Sequence, residues 1–252
     1  MSYLEFHLVF ILPALAMTSL LAWRRGAVTL RDGMWLFVLV LLAVGYTTSW
    51  DNYLIATGVW GYGTDRVIGT IGLVPIEEYL FFVLQPLLTG MWFYAIRGAT
   101  PDSIPPSSAG RAGLIVALAL LLVGAGALMV ESGRYLGLIL VWAVPVLLLQ
   151  WGVGASALWV QRRVVVLGVG VPTLYLWLCD RLAIGLGIWE ISARYTTGWH
   201  LAGLPIEEAV FFLVTNMMVV QALALVRVPL LVHRATGGRH QGAVSSAAPG
   251  SP

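Results

Sequence analysis

Seven apolar stretches, each long enough to cross a lipid bilayer, run through this chain of 252 residues. A membrane span needs about 20 predominantly apolar residues. Charged residues make up only 10% of the chain, far below the roughly 25% of a soluble domain. We therefore expect an all-α, polytopic membrane protein. The predicted spans are 3–23, 34–53, 76–97, 112–130, 135–159, 164–183 and 205–227.

The chain contains an internal repeat of three spans. Segment 51–60 aligns with 180–189 without a gap, and segment 72–82 aligns with 202–212. Because one helix joins the two units, they have the same orientation, and their matching ends lie on one side of the membrane. The predicted domains are a first repeat at 1–97, a loop and linker helix at 98–131, a second repeat at 132–228 and a disordered tail at 229–252.

The tetrapeptide Pro-Ile-Glu-Glu opens the third helix of each unit, at 75–78 and at 205–208. Proline and glutamate are common in the first turn of a helix, so one copy alone would indicate a structural role. An ionisable group in a membrane span is costly, however, and two matching pairs favour function. The candidate catalytic residues are Glu77, Glu78, Glu207 and Glu208.

Acidic residues are concentrated where the second helix of each unit leads to the third. Carboxylates crowded in a low-dielectric site cannot all ionise, so at least one is expected to keep its proton and serve as a Brønsted acid. The positive helix ends oppose this effect. Asp51 and Asp180 close the second helices and are either partners of the glutamates or ordinary helix-end residues.

Aromatic residues surround both acidic junctions. An aromatic belt at the membrane interface is one explanation, and stabilisation of a positive charge by the ring faces is the other. The phenylalanines lie one turn deeper than the glutamates, and the two tryptophans match between the repeats. The candidates for substrate contact are Phe81, Phe82, Phe211, Phe212, Trp60 and Trp189, together with Asp51 and Asp180.

The composition excludes several other classes. The chain has no lysine for a retinal Schiff base, and its single cysteine excludes a disulfide framework. No Gly-x-Gly-x-x-Gly motif supports a dinucleotide or flavin site, no Asp-rich pair would hold a magnesium diphosphate, and the four histidines are scattered. The net charge of +2 is too small to indicate a nucleic-acid partner. We expect no cofactor and no metal.

The distribution of arginines among the loops predicts how the seven spans are oriented in the membrane. With the N-terminus outside, the inner loops and tail would carry ten arginines and the outer loops four. Positive charge favours the cytoplasmic side. We expect the N-terminus outside, the C-terminus in the cytoplasm, and the glutamate pairs toward the outer leaflet.

From residue 3 to about 228 the chain resembles the lycopene cyclase domain family, through the Pro-x-Glu-Glu motif that opens the last helix of each three-helix unit. It resembles the fused form, with 1–97 similar to one subunit of the two-subunit enzymes and 132–228 similar to the other. The resemblance implies a bacterial cell-membrane enzyme of carotenoid biosynthesis that needs no flavin. Its partners would be lycopene or a similar lipid-soluble carotenoid, membrane lipid and, as an open possibility, other enzymes of that synthesis.

The resemblance also implies a reaction. An acid protonates the terminal double bond of the acyclic end group, the neighbouring alkene attacks the cation, and a base removes a proton to leave an ionone ring. The four glutamates of the motif would supply the acid and the base, and the phenylalanines would shield the cation. The ring type, the number of ends cyclised and the length of the carotenoid stay open.

Two other functions fit parts of the pattern. Parallel three-helix repeats joined by a linker helix also build small proton-coupled transporters, in which buried carboxylates move protons. The spans, however, offer few polar side chains for a transport path. A structural or assembly subunit would not need the acidic cluster.

Overall fold

The computed structural model describes residues 1–98 and 108–227. Seven helices in this part of the chain are long and apolar enough to cross a membrane, which confirms the predicted fold class. Each lies within four residues of its predicted bounds. They are α1 (Tyr3–Arg24), α2 (Leu30–Ala56), α3 (Ile76–Ile96), α4 (Ala109–Leu128), α5 (Arg134–Val160), α6 (Arg162–Gly185) and α7 (Ile206–Leu225).

Short strands, which the sequence analysis did not predict, precede the third helix of each repeat. The six are β1 (Trp60–Tyr62), β2 (Thr70–Ile71), β3 (Val74–Pro75), β4 (Trp189–Ile191), β5 (His200–Leu201) and β6 (Leu204–Pro205). Strands β2 and β3 form a hairpin that leads into α3, and β5 and β6 form its counterpart before α7. Strand β1 pairs with β4, so that Tyr62 lies opposite Trp189. The same end of each repeat therefore meets its counterpart, which confirms the parallel arrangement.

Two matching glycines end the second helix of each repeat. Gly58 and Gly187 have φ angles of 69° and 62°, in the left-handed region that glycine adopts without strain. The N–H of the next residue, Val59 or Ile188, donates to the carbonyl five residues earlier, as in a Schellman cap. In each repeat this turn directs the chain from the end of the second helix into the strands that precede the glutamate pair.

Helices α3 and α7, which carry the glutamates, are the two most buried spans. Helices α1 and α2 pack on α3, and α5 and α6 pack on α7. Buried amide and hydroxyl groups join the two central helices: Gln85 and Thr89 donate to Asn216 at 2.7 and 2.6 Å, and Asn216 donates to Thr173 on α6 at 3.0 Å. Hydrogen bonds of this kind hold helices together where the surroundings are apolar.

The linker helix α4 lies at the periphery and packs on α5 through small residues. A Cβ atom at Gly137 of α5 would lie 2.8 Å from the Gly124 carbonyl oxygen, and one at Gly124 would lie 2.9 Å from Leu140 Cβ. Small residues allow such close contact between membrane helices.

The predicted domain boundaries stay a prediction. The predicted loop from residue 98 onward lies partly, and the predicted tail at 229–252 wholly, outside the described residues.

Enlarging Gly124 is expected to loosen the linker helix. Gly124→Val would force its side chain against Leu140 and lower the free energy of unfolding by about 1–3 kcal/mol. Gly126→Val is the control, because a Cβ at Gly126 meets nothing within 4 Å. The measurement is the midpoint of thermal unfolding in detergent, and equal midpoints for the two variants would contradict the close contact.

Candidate active site

Each glutamate pair stands at the first turn of a central helix. Pro75 and Pro205 end the hairpins, and the helices begin at the next residue. Adjacent residues of a helix point about 100° apart, so the two glutamates of a pair face different surroundings. The structure shows this division in both repeats.

The first glutamate of each pair hydrogen-bonds to the loop before its helix. Glu77 accepts from the N–H of Ile68 at 2.9 Å. Glu207 accepts from the N–H and the hydroxyl of Thr197 at 2.7 and 2.8 Å. These carboxyls thus hold the hairpin loops against the helix ends.

The second glutamate of each pair points toward the other repeat and is held by tyrosines. Glu78 accepts from the hydroxyls of Tyr3 and Tyr62 at 2.7 and 3.1 Å. Glu208 accepts from the hydroxyl of Tyr135 at 2.6 Å. Tyr3 and Tyr135 match in the repeat, at the start of α1 and α5. Tyr3 and Tyr135 were not predicted as site residues. Their matching positions in the repeat are the one feature of the sequence that could have indicated them.

A tyrosine on strand β1 makes the two halves differ. Tyr62 gives Glu78 a second hydroxyl donor, whereas the repeat places Ile191 at the matching position. Burial and the neighbouring Glu78 raise the pKa of the Tyr62 phenol well above its ordinary value. Tyr62 therefore stays protonated and available as a donor.

Glu78 and Glu208 line one small cavity, which we call the acid chamber, with a volume of about 30 Å³. This is the space of about one water molecule. The other lining residues are Asp180 and the aromatic residues Tyr3, Trp60, Tyr62, Phe81, Trp189, Phe211 and Phe212. The chamber thus brings together one glutamate from each repeat and most of the predicted site residues. Glu77, Glu207, Asp51 and Phe82 do not line it.

Asp180 lines the chamber and Asp51 lies beside it, but neither aspartate hydrogen-bonds to the glutamates, whose side-chain partners are the tyrosines. Asp180 accepts from the indole N–H of Trp189 at 2.8 Å. Asp51 is fully buried, and within the described part of the chain neither of its carboxyl oxygens has a hydrogen-bond partner.

Within residues 1–98 and 108–227, no arginine or histidine forms an ion pair with these buried acids. The two ion pairs there are Arg97–Asp32 and Arg194–Glu131, at 2.6 Å each, and neither involves a chamber residue. Arg181 does not neutralise Asp180. Burying an unpaired charge is costly, so the chamber acids cannot all be ionised. Among the described residues, no three His, Cys, Asp or Glu side chains are placed to hold a metal ion.

Aromatic side chains form most of the wall of the chamber. Trp189 packs edge-to-face against Tyr3 with ring centroids 4.9 Å apart, and Phe81 packs in the same way against Phe212 at 6.1 Å. Next to the chamber, Trp50 stacks on the lining residue Phe211 at 5.8 Å and on Trp142 at 4.6 Å. Aromatic faces carry negative potential and attract cations. The chamber can therefore hold a proton donor and a developing positive charge away from water.

A second, larger cavity adjoins the acid chamber at Phe81 and Phe211, which line both. We call it the polyene groove. Its volume is about 560 Å³, and its walls come from α2, α3, α5 and α7. Phe82 lines this groove rather than the chamber.

Fold and site together define an integral-membrane protein in which two parallel repeats share one buried acidic site. The chain is 46% identical over 227 residues to a lycopene beta-cyclase of Halobacterium salinarum, covering 89% of this chain and 95% of the relative. It is 35% identical to a bifunctional lycopene cyclase/phytoene synthase of Aspergillus niger, over 86% of this chain and 38% of the relative. A bifunctional lycopene cyclase/phytoene synthase of Phaeosphaeria nodorum is 37% identical over 86% of this chain and 40% of the relative.

No family model matches the chain, and no solved structure matches it. The identity to the Halobacterium protein over nearly all of both chains shows the family. The chain belongs to the lycopene cyclase family.

Removing the Thr197 hydroxyl is expected to destabilise the fold, because Glu207 would lose one of its two donors. Thr197→Val should lower the free energy of unfolding by about 1 kcal/mol, whereas Thr197→Ser keeps the hydroxyl and should resemble the unmodified protein. Thermal unfolding in detergent measures both. Unchanged stability of Thr197→Val would show that this hydrogen bond contributes nothing.

Proposed function

We propose that the protein cyclises the acyclic end groups of a lycopene-type carotenoid, and that Glu78 and Glu208 carry the proton transfers. The supporting observation is that these carboxyls, one from each repeat, line the same aromatic chamber. Family membership supports the substrate and the reaction class. The Halobacterium relative is a lycopene beta-cyclase, which supports a β-ring as the product.

The reaction needs a proton donor and a proton acceptor at one place, with no net oxidation or reduction. A carboxylic acid gives its proton to the terminal double bond, and a tertiary carbocation forms. The neighbouring alkene attacks this cation, which makes the ring bond and moves the charge into the ring. A carboxylate then removes a ring proton, and exchange of carboxyl protons with water between turnovers restores the starting protonation state of both carboxyls. Exclusion of water protects the cation from capture as an alcohol.

The hydrogen bonds to the two glutamates support an assignment of their roles. Donors to a carboxylate stabilise its charged form, and Glu78 has two hydroxyl donors where Glu208 has one. Two neighbouring carboxyls do not both ionise readily in a dry site. Glu78 is accordingly the carboxylate that accepts the ring proton, and Glu208 is the acid that protonates the olefin.

The remaining site residues take supporting roles in this proposal. Glu77 and Glu207 position the catalytic glutamates through the loop hydrogen bonds described above. Phe81, Phe211 and Phe212, with Trp60 and Trp189, surround the cation, and Phe82 contacts the chain of the carotenoid. Asp180 orients Trp189. Asp51 adds a buried carboxyl close enough to Glu78 to interact with it electrostatically.

A transporter is not supported. Several buried polar side chains instead bond to each other or to the backbone, as Gln85 does to Asn216 and the amide N–H of Gln150 does to the Met218 carbonyl. The large cavity is lined mainly by apolar side chains.

We place the N-terminus and the acid chamber toward the outer leaflet of the cell membrane. The distribution of arginines supports this orientation. The two repeats and the linker helix, divided at the predicted boundaries, are the units of the proposed enzyme.

Replacing either chamber glutamate is expected to stop ring formation. Glu78→Gln and Glu208→Gln keep the shape of the side chain but remove the base or the acid, which contributes about 10²–10⁴ in rate. Glu77→Gln and Glu207→Gln, which retain an acceptor oxygen for the loop, should keep a larger share of the activity. Chromatography of carotenoids from lycopene-accumulating cells measures this. Full ring formation by Glu78→Gln or Glu208→Gln would reject the proposal.

Removing the Tyr62 hydroxyl is expected to slow the reaction without stopping it. Tyr62→Phe takes away one of two donors to Glu78, a hydrogen bond to a charged group that contributes about 1.5–3 kcal/mol, so the rate should fall roughly tenfold or more. Tyr79→Phe is the matched control, because the Tyr79 hydroxyl donates to the Ile71 carbonyl at the surface. Initial rates with lycopene in liposomes measure the effect, and equal rates for the two variants would refute the role of Tyr62.

A further inference from the structure

The polyene groove follows the central helix α7 away from the acid chamber. It begins at Phe211, which also lines the chamber, and it continues past Met218 and Ala222 to Val226. From Glu208 to Ala222 the helix rises about 21 Å, at about 1.5 Å per residue. The groove is therefore a long slot with the acids at one end.

The surface of the groove suits an apolar chain. The polar groups along it are largely engaged elsewhere: Tyr46 donates to the Trp142 carbonyl, Gln150 to the Met218 carbonyl, and Thr215 to the Phe211 carbonyl. Most of the other lining side chains are aliphatic or aromatic. Such a surface offers few free polar groups to a sugar or an ion and fits a hydrocarbon.

The other repeat fills the matching space with protein. The alignment that matches Glu78 with Glu208 also matches Trp92 of α3 with Ala222 of α7. The Trp92 indole donates to the Leu167 carbonyl of α6 at 3.0 Å. At the next residue of α6, a Cβ atom on Gly168 would lie 3.2 Å from the Phe93 ring. Helix α6 thus packs directly on α3, whereas the groove separates α2 from α7.

We propose that the polyene groove holds the long chain of the substrate while one end group lies where the groove adjoins the acid chamber, at Phe81 and Phe211. The small side chain of Ala222 leaves room for the substrate chain to continue toward Val226. This inference rests on the proposed function and specifies where the substrate of that function binds. Because the matching space on the other side is closed by Trp92, each binding event presents one end group to the acids. A carotenoid with two rings then requires release and a second entry in the reverse direction.

The test introduces into α7, at position 222, the tryptophan that α3 has at the matching position 92. Ala222→Trp places in the groove the residue that fills the matching space. Two substrates are compared in liposomes: lycopene, and a truncated polyene that carries the same acyclic end group on a chain too short to reach Ala222. We expect the initial rate with lycopene to fall about tenfold or more, and the rate with the truncated polyene to stay within about twofold of the unmodified protein.

Ala119→Trp is the matched control, because Ala119 is exposed on α4, away from the groove; it should leave both rates unchanged. Val153→Trp, on the α5 wall of the groove, is a second variant with the same expected discrimination between the substrates. Unchanged lycopene turnover in both groove variants would overturn the inference and leave the groove to membrane lipid. Equal loss of both substrates in both variants would also overturn it, because chain length would not matter. If the unmodified protein cyclised neither substrate, the proposed function itself would fail.

Discussion

The burial of carboxyl groups that have no cation partner among the described residues is the constraint on which the rest of the structure depends. Four acids lie at or beside the acid chamber: Asp51, Glu78, Asp180 and Glu208. An unpaired charge there is costly, so neutral carboxyls and hydroxyl donors must reduce the cost. Tyr3 and Tyr135 provide these donors from the first turns of α1 and α5. The first helix of each repeat is thereby fixed to the third.

The repeat builds one site rather than two, because the two glutamates that face inward meet at the boundary between the halves. The pairing of β1 with β4 closes the same end of both halves. Within this pseudosymmetric frame, two differences distinguish the halves. Tyr62 faces Glu78 where the other half has Ile191, and Trp92 fills a space that Ala222 leaves open. In the proposed mechanism the first difference separates the base from the acid, and the second separates the open side from the closed one.

Much of the fold could be predicted from the sequence, because membrane spans are defined by long apolar runs and a repeat can be found by alignment. The positions of the four glutamates could also be predicted, because the Pro-Ile-Glu-Glu motif occurs at matching places in the two aligned repeats. The division within each pair could not be predicted. Adjacent residues at a helix start point about 100° apart, but only the packing of the hairpin loop decides which of Glu77 and Glu78 turns inward. The tyrosine that donates to Glu78 from α1 could not be predicted either, because Tyr3 lies 75 residues from Glu78 in the chain. The polyene groove could not be predicted, because it depends on the distance between α2 and α7, and this distance is set by tertiary packing rather than by a local sequence pattern.

In the proposed reaction, a carboxylic acid in the chamber adds a proton to the olefin and ring closure follows. Carboxyl protons exchange with solvent between turnovers, so the reaction in D₂O would transfer a deuteron to carbon. Mass spectrometry of the carotenoid formed in D₂O from unlabelled lycopene measures this directly. We expect one deuterium in the product for each ring closed. Rings that contain no deuterium would contradict it.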